Sequence, residues 1–196
     1  MAKFDEAFEK TAAIEGGYVF DPDDAGGETY KGISRRFNPS WGGWAKIDEV
    51  KRANPRKRKF DNIFDQDDSL QQEVRLFYKQ SYWDRFRGDD IPVQEIGEEL
   101  FDTGVNLGVR RAVRFLQEGL NLLNRNQKNY VDILEDGLFG KNTLKTLNAF
   151  LKKDDVSVLL KVMNIFQGMH YIEYMRKDPV QEKYARGWLK RVKLSQ

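Results

Sequence analysis

Apolar residues recur at helical spacing along most of the chain, which predicts a protein built mainly of α-helices. The first such segment contains Phe4, Phe8 and Ile14 and should end at Gly16 and Gly17, because glycine readily adopts the positive φ that terminates helices. Four further stripes follow, with apolar positions at Leu70, Val74, Phe77 and Tyr78; at Ile96, Leu100, Phe101 and Val105; at Val109, Val113, Leu116, Leu120 and Leu123; and at Val158, Leu159, Val162, Met163, Phe166 and Met169. The expected fold class is all-α.

Polar residues that cap helices stand in front of two of these stripes. Asp67, Asp68 or Ser69 should begin the helix that contains Leu70, and Asp154 or Asp155 should begin the long helix near the C-terminus. A last helix is expected to start at Asp178-Pro179, with the inward-facing residues Tyr184, Trp188, Leu189 and Val192.

A break in the pattern divides the chain into two parts. The segment from Gly88 to Pro92 combines turn residues with a helix-breaking proline, so it is the expected boundary between lobes. Residues 1–90 and 91–196 would then form two lobes of one compact unit, with a cleft between them. The first lobe should be rich in loops and the second helical.

Composition narrows the functional classes. The 196 residues include 33 Lys and Arg against 31 Asp and Glu, a balance that gives no support for a nucleic-acid protein. Six cations fall between Lys51 and Lys59, a run that is usually a solvated surface. The chain has no cysteine and one histidine, so disulfides, thiolate metal sites and histidine clusters are not expected, and no cofactor is required.

The stretch from Glu15 to Ile33 is rich in glycine and carboxylates and directly follows the first predicted helix. Glu15 should lie at the C-terminal end of that helix, where the unpaired carbonyls favour the protonated, proton-donating form of a carboxyl. The segment from Asp21 to Gly27 reads as consecutive turns that would bring a second carboxyl opposite Glu15. Two facing carboxyls indicate glycoside hydrolysis.

The same stretch resembles the signature of the glycoside hydrolase family 108 N-acetylmuramidases of phages and bacteria. The matching segments are Glu15 to Tyr18, Asp21-Pro22, Gly26 to Thr29 and Lys31 to Ser34, followed by residues 82–84, 101–108, 116–117, 136–140 with Thr143, and 187–192. Residues 136–143, together with residues 115–121, also resemble the repeat of peptidoglycan-binding domains. The resemblance implies a lysozyme-like fold and cleavage of the β-1,4 bond between N-acetylmuramic acid and N-acetylglucosamine.

The resemblance also implies roles for individual residues. Glu15 would be the general acid, and Asp24 would be its partner, because phage-type lysozymes carry an Asp nine residues after the catalytic Glu. Their threonine, six residues further on, falls here on Tyr30, while the threonine in this chain is Thr29, so either residue could position the water. Asp21 and Asp23 remain alternatives to Asp24.

Three further residues are candidates for substrate contact. Tyr18 belongs to the same motif as Glu15. Trp44 could stack on a sugar ring or could equally close the edge of the core. Asn106 could hydrogen-bond an N-acetyl group, with helix capping as its structural alternative.

Other functional classes remain open on the sequence alone. A lytic transglycosylase would need one Glu and no partner Asp, and a non-catalytic wall-binding or secretion-scaffold protein would need neither. The expected partner is the glycan strand of peptidoglycan, bound by a monomer with no nucleic acid and no stable membrane insertion. The N-terminus lacks the apolar core of a signal peptide, which predicts cytoplasmic synthesis followed by release to the cell wall.

Overall fold

A computed structural model describes residues 1–12, 16–20, 27–56 and 59–194. The described chain is mostly helical, as the apolar spacing predicts, and it divides into two compact units. Residues 8–81 form one unit, here called the sheet unit, and residues 1–7 with 82–196 form the other, here called the helical unit.

The helices in the described residues follow the apolar stripes closely. Their bounds are α1 (Phe4–Ala12), α2 (Gly43–Ala53), α3 (Asp61–Asp65), α4 (Asp68–Tyr78), α5 (Gln94–Leu107), α6 (Val109–Leu122), α7 (Lys141–Leu151), α8 (Val156–Lys177) and α9 (Ala185–Leu189). A π-helical turn (Lys79–Trp83) and two 3₁₀ turns (Asp84–Phe86 and Gly88–Asp90) lie between α4 and α5, and a third 3₁₀ segment (Pro179–Tyr184) precedes α9.

The two capping predictions are confirmed. The Asp67 carboxylate accepts hydrogen bonds from the backbone amides of Ser69 and Leu70 at the start of α4. The Asp155 carboxylate accepts one from the amide of Ser157 at the start of α8. Each aspartate satisfies amides that have no partner within the helix.

The sheet unit contains a small antiparallel sheet that the apolar pattern does not indicate. Its strands, in the order β1-β2-β3, are β1 (Tyr18–Phe20), β2 (Glu28–Tyr30) and β3 (Ile33–Ser34). Lys31 and Gly32, with φ of 43° and 75°, form the two-residue turn between β2 and β3. Two successive positive φ values suit the right-handed twist of a tight hairpin, and this requirement explains the glycine at position 32.

Each unit has its own core. The sheet unit buries an aromatic-rich set, namely Phe8, Tyr30, Ile33, Trp41, Trp44, Ile47, Phe64, Leu70, Val74 and Tyr78. The helical unit buries Phe4, Trp83, Phe86, Ile91, Ile96, Leu100, Phe101, Leu116, Leu147, Phe150, Leu159 and Met163. Edge-to-face contacts join Phe4, Trp83 and Phe101, with ring centroids 5.7 to 6.0 Å apart.

Two predictions about the C-terminal helices are wrong. The last apolar stripe predicts that Val158 and Met169 lie on the buried face of α8, yet both side chains are about half exposed. Tyr184 and Leu189 are also about half exposed, and the segment after Asp178 is a 3₁₀ turn followed by the short helix α9. Helical spacing shows which residues share a face but not whether another element covers that face.

No helix in the described part of the chain has the length and hydrophobicity that a membrane span requires.

Candidate functional site

The two carboxyls at the centre of the sequence hypothesis lie outside the described residues. These are Glu15 and Asp24, and the alternatives Asp21 and Asp23 lie outside them as well. The described residues that flank them are Gly16 to Phe20 on one side and Gly27 onward on the other.

The backbone that follows Glu15 is held by an aspartate of α3. The amide of Tyr18 donates to Asp61 Oδ1 at 2.7 Å, and a Cβ on Gly17 would overlap the same carboxylate. The amide of Lys31 donates to the Gly17 carbonyl at 3.2 Å, which joins this backbone to the β2–β3 turn. A side chain at position 17 would displace the Asp61 carboxylate, and the two backbone hydrogen bonds give the start of β1 a fixed position in the sheet unit.

A single carboxylate, that of Glu28, contacts three side chains at the other end of the segment, two through hydrogen bonds and one through an ion pair. The Tyr18 hydroxyl donates to Glu28 Oε1 at 2.6 Å, and Lys51 Nζ donates to the same oxygen at 2.9 Å. Arg35 Nε lies 2.7 Å from Glu28 Oε2 as an ion pair, although Nε lacks the angle of a hydrogen bond. The Glu28 side chain is 9% exposed. With both oxygens occupied, Glu28 serves as an anchor that ties β2 to β1, to α2 and to the chain after β3.

Arg35 extends this network to Trp44. Its guanidinium forms a two-pronged pair with Asp48, with nitrogen-to-oxygen distances of 2.9 and 2.6 Å. The guanidinium carbon also lies 4.5 Å from the centroid of the Trp44 ring, a cation–π arrangement. Trp44 is only 3% exposed and donates from Nε1 to the Asn38 carbonyl at 2.8 Å. Its environment is that of a core residue.

Thr29 and Tyr30 are neighbours in β2 and lie on opposite faces of the sheet, because side chains alternate along a strand. Tyr30 is 0% exposed; its hydroxyl donates to Asp65 at 3.2 Å and accepts from Gln71 at 2.9 Å. Burial raises the pKa of the Tyr30 hydroxyl well above its usual value. Thr29 pairs with Val19 and Ser34 and keeps a partly exposed side chain.

Asn106 lies near the C-terminal end of α5, in the helical unit. Its side-chain amide donates to the Asp102 carbonyl, one turn earlier in the same helix, at 2.9 Å. The residue is partly exposed. Four of the sequence candidates lie in the sheet unit, namely Tyr18, Thr29, Tyr30 and Trp44. Asn106 lies in the helical unit.

The glycine turn before α7 is organised by Gln117, which is not among the candidate residues of the sequence analysis. Gln117 is buried in α6, and its Nε2 donates to Asp136 Oδ1 and to the Leu138 carbonyl, at 3.0 and 3.2 Å. Its Oε1 accepts from the Gly137 amide at 2.8 Å. Hydrogen bonds from the Leu138 amide and from Gln117 lower the pKa of the Asp136 carboxyl. One amide side chain thus fixes both sides of the turn.

Sequence reasoning missed three site-forming residues, namely Asp61, Glu28 and Gln117. Glu28 and Gln117 do fall within segments that carry the family resemblance, which is the only sequence signal for them. Within the described residues, no group of three His, Asp or Glu side chains has an arrangement that could hold a metal ion.

The chain matches two family sequence models. The one described as Glycosyl hydrolase 108 matches residues 8–108, and the one described as Predicted Peptidoglycan domain matches residues 111–193. The solved structure of SagA from Brucella abortus is similar at a TM-score of 0.59 and 21% identity, covering 96% of this chain and 88% of that one. No curated protein matches the sequence. The resemblances drawn from the motifs and the all-α, lysozyme-like fold class are confirmed.

Proposed function

The chain belongs to the glycosyl hydrolase 108 family, and from that premise we propose that it is an N-acetylmuramidase acting on peptidoglycan. The bond cleaved is the β-1,4 bond between N-acetylmuramic acid and N-acetylglucosamine. The observation that carries the proposal is the combination in one chain of a glycosyl hydrolase match over residues 8–108 and a peptidoglycan domain match over residues 111–193. The first supplies a glycosidase, and the second directs it to the cell wall.

Glu15 acts in this proposal as the general acid that protonates the oxygen of the leaving sugar, and Asp24 orients the attacking water or supports the oxocarbenium-like transition state. The contacts on either side support a built site. Asp61 holds the backbone amide three residues after Glu15, and Glu28 anchors the strand four residues after Asp24. Both ends of the Asp-rich segment are thereby attached to the same unit.

Thr29 is the better candidate for holding the water. The Tyr30 hydroxyl is already engaged by two side chains and is closed off from solvent, whereas Thr29 is partly exposed on the other face of β2. Tyr18 and Trp44 act through the Glu28 and Arg35 network as positioning residues. Asn106 remains the proposed contact for an N-acetyl group.

The test of the proposal is the Glu15→Gln variant, because the amide keeps the size of the side chain and loses the donated proton. Lysis of purified cell-wall peptidoglycan should fall by about 10²- to 10⁴-fold, with the melting temperature unchanged. Glu9→Gln, which removes an exposed carboxylate from α1, is the matched control and should lyse at the wild-type rate. Near wild-type lysis by folded Glu15→Gln would overturn the assignment.

The partner carboxylate is identified by three parallel substitutions. Asp24→Asn should lose far more activity than Asp21→Asn or Asp23→Asn, because its spacing from Glu15 is that of the phage-type lysozymes. An active Asp24→Asn variant would transfer the role to whichever of the other two aspartates proves essential.

A further inference from the structure

Lysines on the exposed side of α7 and at its C-terminal cap, Lys152, have no acidic partner. Lys141, Lys145 and Lys152 are all exposed, and their spacing of four and seven residues places them on one side of the helix. Among the described residues, none of the three ammonium groups forms an ion pair. The chain as a whole carries a net charge of only +2, so this row is a local concentration of positive charge.

The lysines line a groove of about 550 Å³ in the helical unit. Leu144 and Ala149 provide apolar lining, and Arg87 and Lys153 add two further cations. Arg87 is held by Asp90, with Nε 2.7 Å from Oδ2, and Lys153 donates to the Asn129 carbonyl at 3.4 Å. The groove therefore combines apolar contact surface with cations of which three are free to bind an anion.

This placement opposes the local preferences of a helix. Lys141 is the first residue of α7, where the positive end of the helix dipole disfavours a cation, and Lys145 follows one turn later. The first turn of α7 contains no acidic residue, and Lys141 and Lys145 repel each other at a spacing of four. Positions that break local rules without a structural gain are characteristic of functional surfaces.

We propose that this groove binds the carboxylates of the stem peptides of peptidoglycan, a step that rests on the proposed function. The glycan strand offers little charge, because the muramic acid carboxyl is used in the amide bond to the peptide, so the free carboxylates of the polymer lie on its peptides. Lysines four residues apart are separated by about 6 Å along the helix axis, and alternate residues of an extended peptide by about 7 Å. The apolar lining suits the alanine methyl groups that lie on either side of the acidic residues.

Binding of the full-length chain to purified sacculi tests the proposal, with Glu15→Gln as the background in every protein so that the polymer is not digested. The triple variant Lys141→Gln, Lys145→Gln, Lys152→Gln should bind roughly tenfold more weakly at low salt. The matched control is Lys161→Gln, Lys177→Gln, Lys190→Gln, which removes three exposed lysines outside the groove and should change binding less than about twofold.

A second experiment changes the polymer and leaves the protein as it is, by removing the negative charge of the peptide carboxylates. Sacculi whose carboxylates have been converted to amides should bind the parent protein as weakly as the triple variant, and the triple variant should be unaffected by that conversion. Lys→Arg at the same three positions should retain binding, because charge is kept. Circular dichroism and melting temperature establish that each variant is folded.

Four outcomes would overturn the proposal. The groove and control variants could lose binding equally, or amidation could leave binding of the parent protein unchanged. The loss in the groove variant could persist on glycan strands stripped of their peptides, which would assign the groove to the sugar chain. The variant could bind sacculi normally and lose binding only to vesicles containing phosphatidylglycerol, which would assign it to a membrane surface. Absence of lysis by the wild-type protein would instead contradict the proposed function itself.

Discussion

Thr29 and Tyr30 show how neighbouring residues acquire different roles from their surroundings. Both stand close to the position expected for a water-binding residue, and sequence spacing alone leaves them equivalent. The structure surrounds the Tyr30 hydroxyl with Asp65 and Gln71, while Thr29 faces the other side of a three-stranded sheet. Burial and hydrogen-bond partners distinguish Tyr30 from Thr29. The two partners of Tyr30 follow it in the sequence by 35 and 41 positions.

Substitution of each residue tests this distinction. Tyr30→Phe removes one hydroxyl that takes part in two hydrogen bonds, so the free energy of unfolding should fall by about 1 to 3 kcal/mol while the rate of lysis at 25 °C stays close to wild type. Thr29→Val keeps the shape of the side chain and should lower kcat with little change in melting temperature. Steady-state kinetics and thermal denaturation of both variants show which residue positions the water. A large loss of kcat in Tyr30→Phe with little loss in Thr29→Val would assign the water to Tyr30.

The conformation of the turn between Asp136 and Thr143 accounts for the residues found there. Gly137 has a φ of 73°, and a Cβ there would overlap the Arg110 carbonyl. Gln117 then joins the turn to α6 through hydrogen bonds to both of its sides. A glycine and a glutamine that lie 20 positions apart thus form one structural device.

Gly137→Ala should therefore destabilise the helical unit. The left-handed conformation alone costs a non-glycine residue about 1 to 2 kcal/mol, and the overlap with Arg110 adds to that cost. Gly140→Ala is the control, because its φ is −108° and no atom lies near the added methyl group. Chemical denaturation should show a loss of at least about 2 kcal/mol for Gly137→Ala and about 1 kcal/mol or less for Gly140→Ala. Equal losses would show that the turn does not depend on its glycine conformation.

Features that depend on interactions within a few residues could be predicted from the sequence, whereas features that depend on packing against a distant element could not. The caps at Asp67 and Asp155 follow from interactions within two or three residues, so they could be predicted. The exposure of Tyr184 and Leu189 could not, because it depends on what packs beside them. The strands were missed because segments of two or three residues are too short to display an alternating pattern.

The stability of the whole protein should depend on pH, because the helical unit buries the carboxyl of Glu99. Glu99 in α5 is 8% exposed and accepts a hydrogen bond from the Thr103 hydroxyl at 3.1 Å. Burial and the neighbouring Asp102 raise the pKa of Glu99 to about 7, although Asn164 and Lys193 oppose the shift. The folded state therefore holds this proton more tightly than the unfolded chain, whose glutamate has a pKa near the usual 4.5.

The sign of the pH effect follows from that difference. The stabilising contribution of Glu99 is complete below about pH 4.5 and is lost as the pH rises through about 7. Glu99→Gln cannot ionise, so its stability relative to wild type should increase between pH 5 and pH 8, by up to about 3 kcal/mol. Glu95→Gln, on an exposed position of the same helix, is the control. A difference from wild type that is constant with pH would show that Glu99 does not titrate in this range.

Mass spectrometry of the fragments released from purified peptidoglycan, with the Glu15→Gln protein as the blank, determines whether the protein is an N-acetylmuramidase. An N-acetylmuramidase produces fragments that end in reducing N-acetylmuramic acid, and we expect these as the main product. Fragments that end mainly in 1,6-anhydro-N-acetylmuramic acid would identify a lytic transglycosylase. Anhydro fragments, fragments with reducing N-acetylglucosamine ends, or no released fragments at all would show that the protein is not an N-acetylmuramidase.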